Sequence, residues 1–328
     1  MELIAVNNKT IEPVTTIEQV INESTNENFI LANTQPVTTM ELKDKCIIPS
    51  FAKDNESTIS HTEFINVVGE MIADCFSREV IYAPAVRVSH PISGRIPEAM
   101  GKPAKELLEH EKTLYYERMA FLFEIPSIRA NIHGNDISLS IGGVRSYNLE
   151  NLHSRKSEER FKLFIGFQNK VCINLCISTD GFLSDLKVRT TAELANKAYE
   201  LFSNFAYEKK LSLFSSLGDL ALSEHQFAQI IGKMKLYQYL PLADKKDLEQ
   251  APMNDSQIST IARDYYSSNS FSRDDNGDID LWKLYNLFTS ANKSSYIDTF
   301  LDRGAACLVF ANMLHAAIRN QSECWYLQ

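Results

Sequence analysis

The chain has 328 residues, 44% of them hydrophobic, with a formal net charge of −9 and 12 glycines. That is enough apolar material for a sizeable core, near the length at which one core gives way to two lobes. So few glycines argue against a glycine-rich nucleotide fold, a propeller or a collagen-like chain, and no run reaches the ~20 apolar residues that a membrane span needs.

The first residues, Met-Glu-Leu-Ile-Ala-Val-Asn-Asn, lack the basic flank and apolar run of a secretion signal. The cysteines at 46, 75, 172, 176, 307 and 324 mostly sit in apolar runs, which suits reduced, buried thiols in a cytoplasmic protein. Charge is unevenly placed. Residues 1–79 hold 5 Lys/Arg against 13 Asp/Glu, whereas residues 80–190 hold 15 against 12. The middle is the only basic part, and it falls short of a dedicated DNA-binding domain.

Residues 1–45, rich in Asn, Thr and Glu, read as an acidic, disordered arm. Cys46-Ile-Ile-Pro49 is at most a short strand, stopped by its proline. Phe64, Val67, Val68, Met71, Ile72, Cys75 and Phe76 follow helical spacing, with Thr62 as the expected N-cap. Residues 80–91 form an expected edge strand, because Pro84 interrupts them. A loop over 92–112 carries Arg95, Lys102 and a short helix near 104–109. Residues 114–125 alternate, and a hairpin turns around His133-Gly134-Asn135-Asp136 to return through Ile137, Leu139 and Ile141. Gly142-Gly143 suggests a bulge at its end.

The clearest strand signal is 161–189, three apolar runs separated by Asn169-Lys170 and Asp180-Gly181. Phe161, Leu163, Ile165 and Phe167 share one face; Val171, Ile173, Leu175 and Ile177 share another. Past Arg189 the period changes from 2 to 3.6. Thr190-x-x-Glu193 and Ser223-x-x-Gln226 read as capping boxes. Further helices are expected from Asp255 or Ser256, after Asp280, and from about Tyr296 to Ile318. The resulting fold class is α+β: an antiparallel β-rich half over 46–190, followed by a helical half over 191–328 packed on it.

No Gly-x-Ser-x-Gly, Walker loop, Gly-x-Gly-x-x-Gly or His-Glu-x-x-His is present, so no cofactor is expected. Residues 274–280, Asp-Asp-Asn-Gly-Asp-Ile-Asp, resemble a calcium loop. Aligned on Gly277, however, Lys283 falls where the bidentate Glu belongs, and a polar turn with Asp280 capping the next helix is the better reading. Cys172 and Cys176 on one strand, without a second close pair, do not make a zinc site. What remains is a cationic set: Arg87, His90, Arg95, Arg118, Arg145, Lys162, Lys187 and Arg189. Together they would line one surface of the sheet, with Gly142-Gly143 letting a phosphate approach the backbone. The plainer reading is a solvated face paired with Glu117, Glu124 and Asp185.

Several long phrases carry a family resemblance: "CIIPSFAKDNESTISHTEF" (46–64), "PAVRVSHPISGRIPEA" (84–99), "YYERMAFLFEIPSI" (115–128), "IGGVRSYNLENL" (141–152), "FKLFIGFQNKVCINLCISTDGF" (161–182) and "LWKLYNLFTSANKSSYIDTFLDRG" (281–304). Over about 46–310 the chain resembles the domain-of-unknown-function 3871 proteins of Bacteroidetes, themselves similar to the phage/plasmid-like domain-of-unknown-function 932 group. Only the N-terminal arm departs from the resemblance. It implies a bacterial, cytoplasmic protein carried on integrated or conjugative elements, and it brings no catalytic residues. The expected function is that of a non-catalytic accessory protein of a mobile genetic element, binding nucleic acid or a protein partner, without metal or membrane. The alternative is an enzyme acting on a phosphorylated or other anionic substrate in a pocket around Arg87, His90, Arg118 and Arg145.

Overall fold

The computed structural model describes residues 29–46, 58–149 and 158–328. In chain order the elements are β1 (Gln35–Val37), α1 (Thr39–Lys45), α2 (His61–Cys75), β2 (Ala85–Val88), β3 (Pro91–Arg95), β4 (Lys112–Tyr116), β5 (Arg118–Ile132), β6 (Asn135–Ser146), β7 (Glu159–Asn169) and β8 (Asn174–Val188). The helical part follows: α3 (Thr191–Asn204), α4 (Tyr207–Leu217), β9 (Ala221–Leu222), α5 (Glu224–Tyr239), α6 (Leu242–Lys245), α7 (Asp255–Ser267), β10 (Ile279–Asp280), α8 (Leu281–Asn292) and α9 (Ile297–Asn320). The class is α+β. One six-stranded sheet, in the order β1-β2-β5-β6-β7-β8, is antiparallel at every step.

Both faces of this sheet are buried, which is why β5 reads as a continuous apolar run. On one face Met119, Phe121 and Phe123 join Phe161, Leu163 and Ile165 beneath α2, whose Phe64 ring stands 4.9 Å from Phe121 and 4.6 Å from Phe161. On the other, Ala120, Leu122, Val144, Phe164 and Ile177 meet Ile297, Phe300, Leu301 and Ala305 of α9. Each fully buried Phe or Leu contributes roughly 1.5–3 kcal/mol. Gly142 and Gly143 serve this packing. A Cβ on Gly143 would lie 2.6 Å from the Phe64 ring, and one on Gly142 would lie 2.1 Å from the Phe121 carbonyl oxygen. Pairing runs through both without a register shift, so they form no bulge, and aromatic rings occupy the space imagined for a phosphate.

β7 and β8 pair as the alternation predicts, but the turn between them is longer than Asn169-Lys170. Asn169 pairs with Asn174, and Ile173 sits in the turn at φ 58°, half-buried. Cys172 also falls in the turn, so it does not share a strand with Cys176. The third run is no third strand: it continues β8. Gly166 pairs with Ile177 and Phe164 with Phe182, so residues 178–181 are extruded as a wide bulge. Its Asp180 is held by Lys210 of α4 at 2.7 Å.

Two further expectations are corrected. Residues 80–91 do not supply the edge strand, because β1 pairs outside β2. The expected disordered arm is structured from residue 29: Phe29 and Ile30 are buried against the α9 face, β1 joins the sheet, and Thr38 caps α1 with a capping box. The rest of the expected arm, 1–28, and most of the expected strand at Cys46 lie outside the described residues.

In the helical part Ser223 caps α5 with the predicted capping box, whereas Thr190 caps α3 without one, because Glu193 accepts the Arg189 N–H instead. α2 is capped by Ser60 with Glu63, two residues before Thr62. Asp280 caps α8 by accepting the Lys283 N–H at 2.7 Å, and the Lys283 ammonium pairs with Asp274. α8 is buried on nearly all sides. Its Asn286 side chain accepts from Asn169 at 3.0 Å, and its carbonyl accepts from Asn174 at 2.9 Å, tying the buried end of the β7–β8 hairpin to α8.

Candidate anion-binding site at one end of the sheet

Register decides where the cations go. Arg145 pairs with Met119 and Phe161, residues of the α2 face, and is fully buried there. Its guanidinium lies 4.6 Å from the ring centroids of both Tyr147 and Phe161, and its Nη2 donates to Glu159 Oε2 at 2.5 Å. Glu159 also accepts the Ile59 N–H at 3.1 Å. Beside them His61 is buried, its Nε2 donating to the Tyr116 carbonyl at 2.8 Å and its ring 4.8 Å from Tyr147. Burial, then the Arg145 charge, push the His61 imidazole down to about 3. Arg145 is thus a packing residue, not part of the expected polar surface.

Others are also dispersed. Arg87 is buried, donating from Nη2 to the Thr34 carbonyl at 2.8 Å and from Nε to the Thr34 hydroxyl at 3.1 Å. His90 is exposed between β2 and β3, and Arg95 on the separate β3–β4 hairpin donates to the Lys102 carbonyl. Arg189 is exposed beside Glu158 ahead of α3. The expected pocket around Arg87, His90, Arg118 and Arg145 does not form, because Arg145 faces the opposite side of the sheet from Arg87 and Arg118.

Arg118, Lys162 and Lys187 do come together, on the α9 face, joined by Arg160. Arg118 pairs with Ser146 and Arg160 with Lys187. The β6–β7 register, which reaches Arg145–Phe161, sets Ser146 beside Arg160. The row Arg118–Ser146–Arg160–Lys187 therefore crosses four strands at one end of the sheet, with Lys162 one step inward. Ser146, Arg160, Lys162, Ser184 and Asp185 line a cleft of about 200 Å³ there, over Val144 and Phe161.

The site is close to electrically balanced. Asp185 takes Lys187 at 2.8 Å and Arg160 at 3.8 Å; Arg118 meets Glu117 at 3.1 Å and Asp298 at 3.7 Å. Lys162 pairs with Asp302 and donates to the Asp298 carbonyl at 2.6 Å. Lys187 first, then Arg160 and Lys162, hold the Asp185 carboxyl below the usual range. Arg160 and Lys187 remain 47% and 42% exposed, enough to change partners. The hydroxyl of Ser146 is buried without a hydrogen-bond partner among the described residues. Arg160 escaped sequence reasoning because it stands just ahead of the first apolar residue of the 161–189 run; its parity with Lys162 was the available signal. Among the described residues no three His, Cys, Asp or Glu side chains gather as a metal would require.

Fold and site together define an α+β protein with a doubly covered antiparallel sheet and a zwitterionic cleft at one end. Residues 10–327 match the family model for a domain of unknown function, a B. theta gene description (DUF3871), and the chain belongs to that family. The match reaches further than the resemblance over 46–310, so most of the N-terminal segment lies within the family. No curated protein and no solved structure matches the chain. No helix among the described residues is long and apolar enough to cross a membrane.

Proposed function

We propose that this protein is a non-catalytic accessory protein that holds nucleic acid against the charged end of its sheet. The observation that carries the reading is the cross-strand row of Arg118, Arg160 and Lys187, with Lys162 behind it. At ~4.8 Å per strand such a row is about 14 Å wide, so it reaches only a few phosphates. Binding is then modest and depends on local charge, against a net −9 for the whole chain. In this reading the protein works in the cytoplasm of a Bacteroidetes host and serves an integrated or conjugative element, as its family resemblance implies.

The competing catalytic reading is weakened by Asp185. It is the carboxylate in the cleft, and the cations around it lower its basicity, which disfavours it as a general base.

The test is fluorescence anisotropy at low salt with single-stranded DNA, duplex DNA and RNA. About three phosphate contacts on a single strand give a log–log salt slope near −2. Arg160→Glu with Lys187→Glu should weaken binding at least tenfold and flatten that slope. Binding unchanged by the double reversal would move the site elsewhere. No binding to any of the three would remove nucleic acid and leave a protein partner.

A further inference from the structure

A row of solvated cations has no use for a buried hydroxyl. Ser146 is 2% exposed, its Oγ has no partner among the described residues, and it lines the cleft between Arg160 and Lys162. Buried hydroxyls without partners are uncommon and unfavourable, and an acceptor placed in the cleft would relieve this one.

We propose that this cleft takes a single terminal phosphate, a phosphate monoester, gripped by Arg160, Lys162 and the hydroxyls of Ser146 and Ser184. That the phosphate ends a nucleic-acid strand rests on the function proposed above; the monoester site itself does not. Size favours one group over a track: about 200 Å³ accommodates a phosphate and part of its sugar, not a run of backbone. Charge favours it as well. A continuous strand crossing the row would lay phosphates against Asp185, Asp298, Asp302 and Glu117, which alternate with the cations. One group seated between Arg160 and Lys162 has only their own partners, Asp185 and Asp302, to displace, and leaves Glu117 and Asp298 on Arg118. A monoester also offers nearly two negative charges and three terminal acceptor oxygens, where a backbone diester offers one charge and two. That suits two cations flanked by two hydroxyl donors.

The experiment compares the full chain's affinity for one single-stranded oligonucleotide carrying a 5′-phosphate, a 3′-phosphate or hydroxyls at both ends. Inorganic phosphate and a nucleoside monophosphate serve as competitors. A phosphorylated end is expected to bind about tenfold more tightly than the hydroxyl form, equivalent to about 1.4 kcal/mol. Ser146→Ala should reduce that preference below threefold and leave the hydroxyl form bound within twofold. Its melting temperature should be unchanged or raised, because the hydroxyl has no partner to lose. If Ser146→Ala melts several degrees lower, Lys162→Met decides instead, and the preference must fall there for the site to stand. Equal affinity for all three ends overturns the monoester site while leaving nucleic-acid binding intact. So does a preference that survives the deciding substitution. Tight binding of the free monophosphate with no gain from an attached strand keeps the cleft and overturns the nucleic-acid reading. No binding of any of these ligands overturns both.

Discussion

Arg145 and Ser146 are neighbours on β6, yet one belongs to the core beneath α2 and the other to the charged end beneath α9. The cations on the two sides are chemically alike and differ in their surroundings. Arg145 and Glu159 keep 0% and 5% of their side chains exposed and share their site with two aromatic rings and a backbone N–H. Arg160, Lys187 and Asp185 keep 47%, 42% and 51%. In the first place water cannot replace a lost partner; in the second it can. A buried pair is therefore committed to the fold, whereas a half-exposed one is available for a ligand. The contrast can be broken by substitution on either side.

The largest effect should come from Glu159. Glu159→Ala takes one buried carboxylate from the Arg145 guanidinium and the acceptor from the Ile59 N–H. Such a loss costs about 3–5 kcal/mol. Urea unfolding should show it as a lower midpoint with an unchanged slope. Arg145→Met combined with Glu159→Gln should cost clearly less, because it removes the charge together with its partner. A double variant as unstable as Glu159→Ala would mean that the stacked guanidinium, not the broken pair, supplies the stability.

Next comes pH. Folded His61 is neutral, its imidazole pushed down to about 3 from an ordinary 6.5 by burial and then by Arg145. Between those values the unfolded chain takes up a proton that the folded chain refuses. Stability from this group is therefore complete above about 6.5 and is lost as pH falls toward 3, at about 1.4 kcal/mol per pH unit. From pH 7 to pH 5 that amounts to about 2 kcal/mol. His61→Gln can still donate to the Tyr116 carbonyl but cannot titrate, so its urea midpoint should fall less over the same interval. Carboxylates contribute to both proteins alike and cancel in the difference. Parallel pH dependences would show that His61 is protonated in the folded state.

The β5–β6 hairpin and the caps of α3, α5 and α8 were legible because each rests on local chemistry. His133 and Gly134, at φ 46° and 82°, make the two-residue turn between β5 and β6, and Ser223 and Thr190 cap where hydroxyl and acidic or amide residues stand three apart. The facing of Arg145 was not legible. Period two tells inside from outside only when one face is polar, and here both are apolar, so a cation's side depends on a register set by distant residues. The same reason hid Gly142 and Gly143, whose requirement is a ring from α2 and a carbonyl from β5. α4 escaped because its apolar face is short. Phe214 gains its place only in three dimensions, 6.0 Å from Phe167 and 6.2 Å from Tyr285. β1 has three residues, one of them Pro36, and exists because β2 offers it an edge.

The smallest expected change is the most informative for the charged end. Arg160→Ala and Lys187→Ala should each shift stability by less than about 0.5 kcal/mol, because both side chains are well exposed and exposed ion pairs contribute little. Asp185 then loses a neighbour but gains water, unlike the Arg145 guanidinium in the Glu159→Ala protein. Thermal melting at low and at moderate salt checks this: near-equal melting temperatures for wild type and both variants are expected in either condition. A loss approaching that of Glu159→Ala would place Arg160 and Lys187 among the groups committed to the fold. They would then be poorly able to exchange Asp185 for a phosphate, and the cleft would lose the mobility its ligand requires.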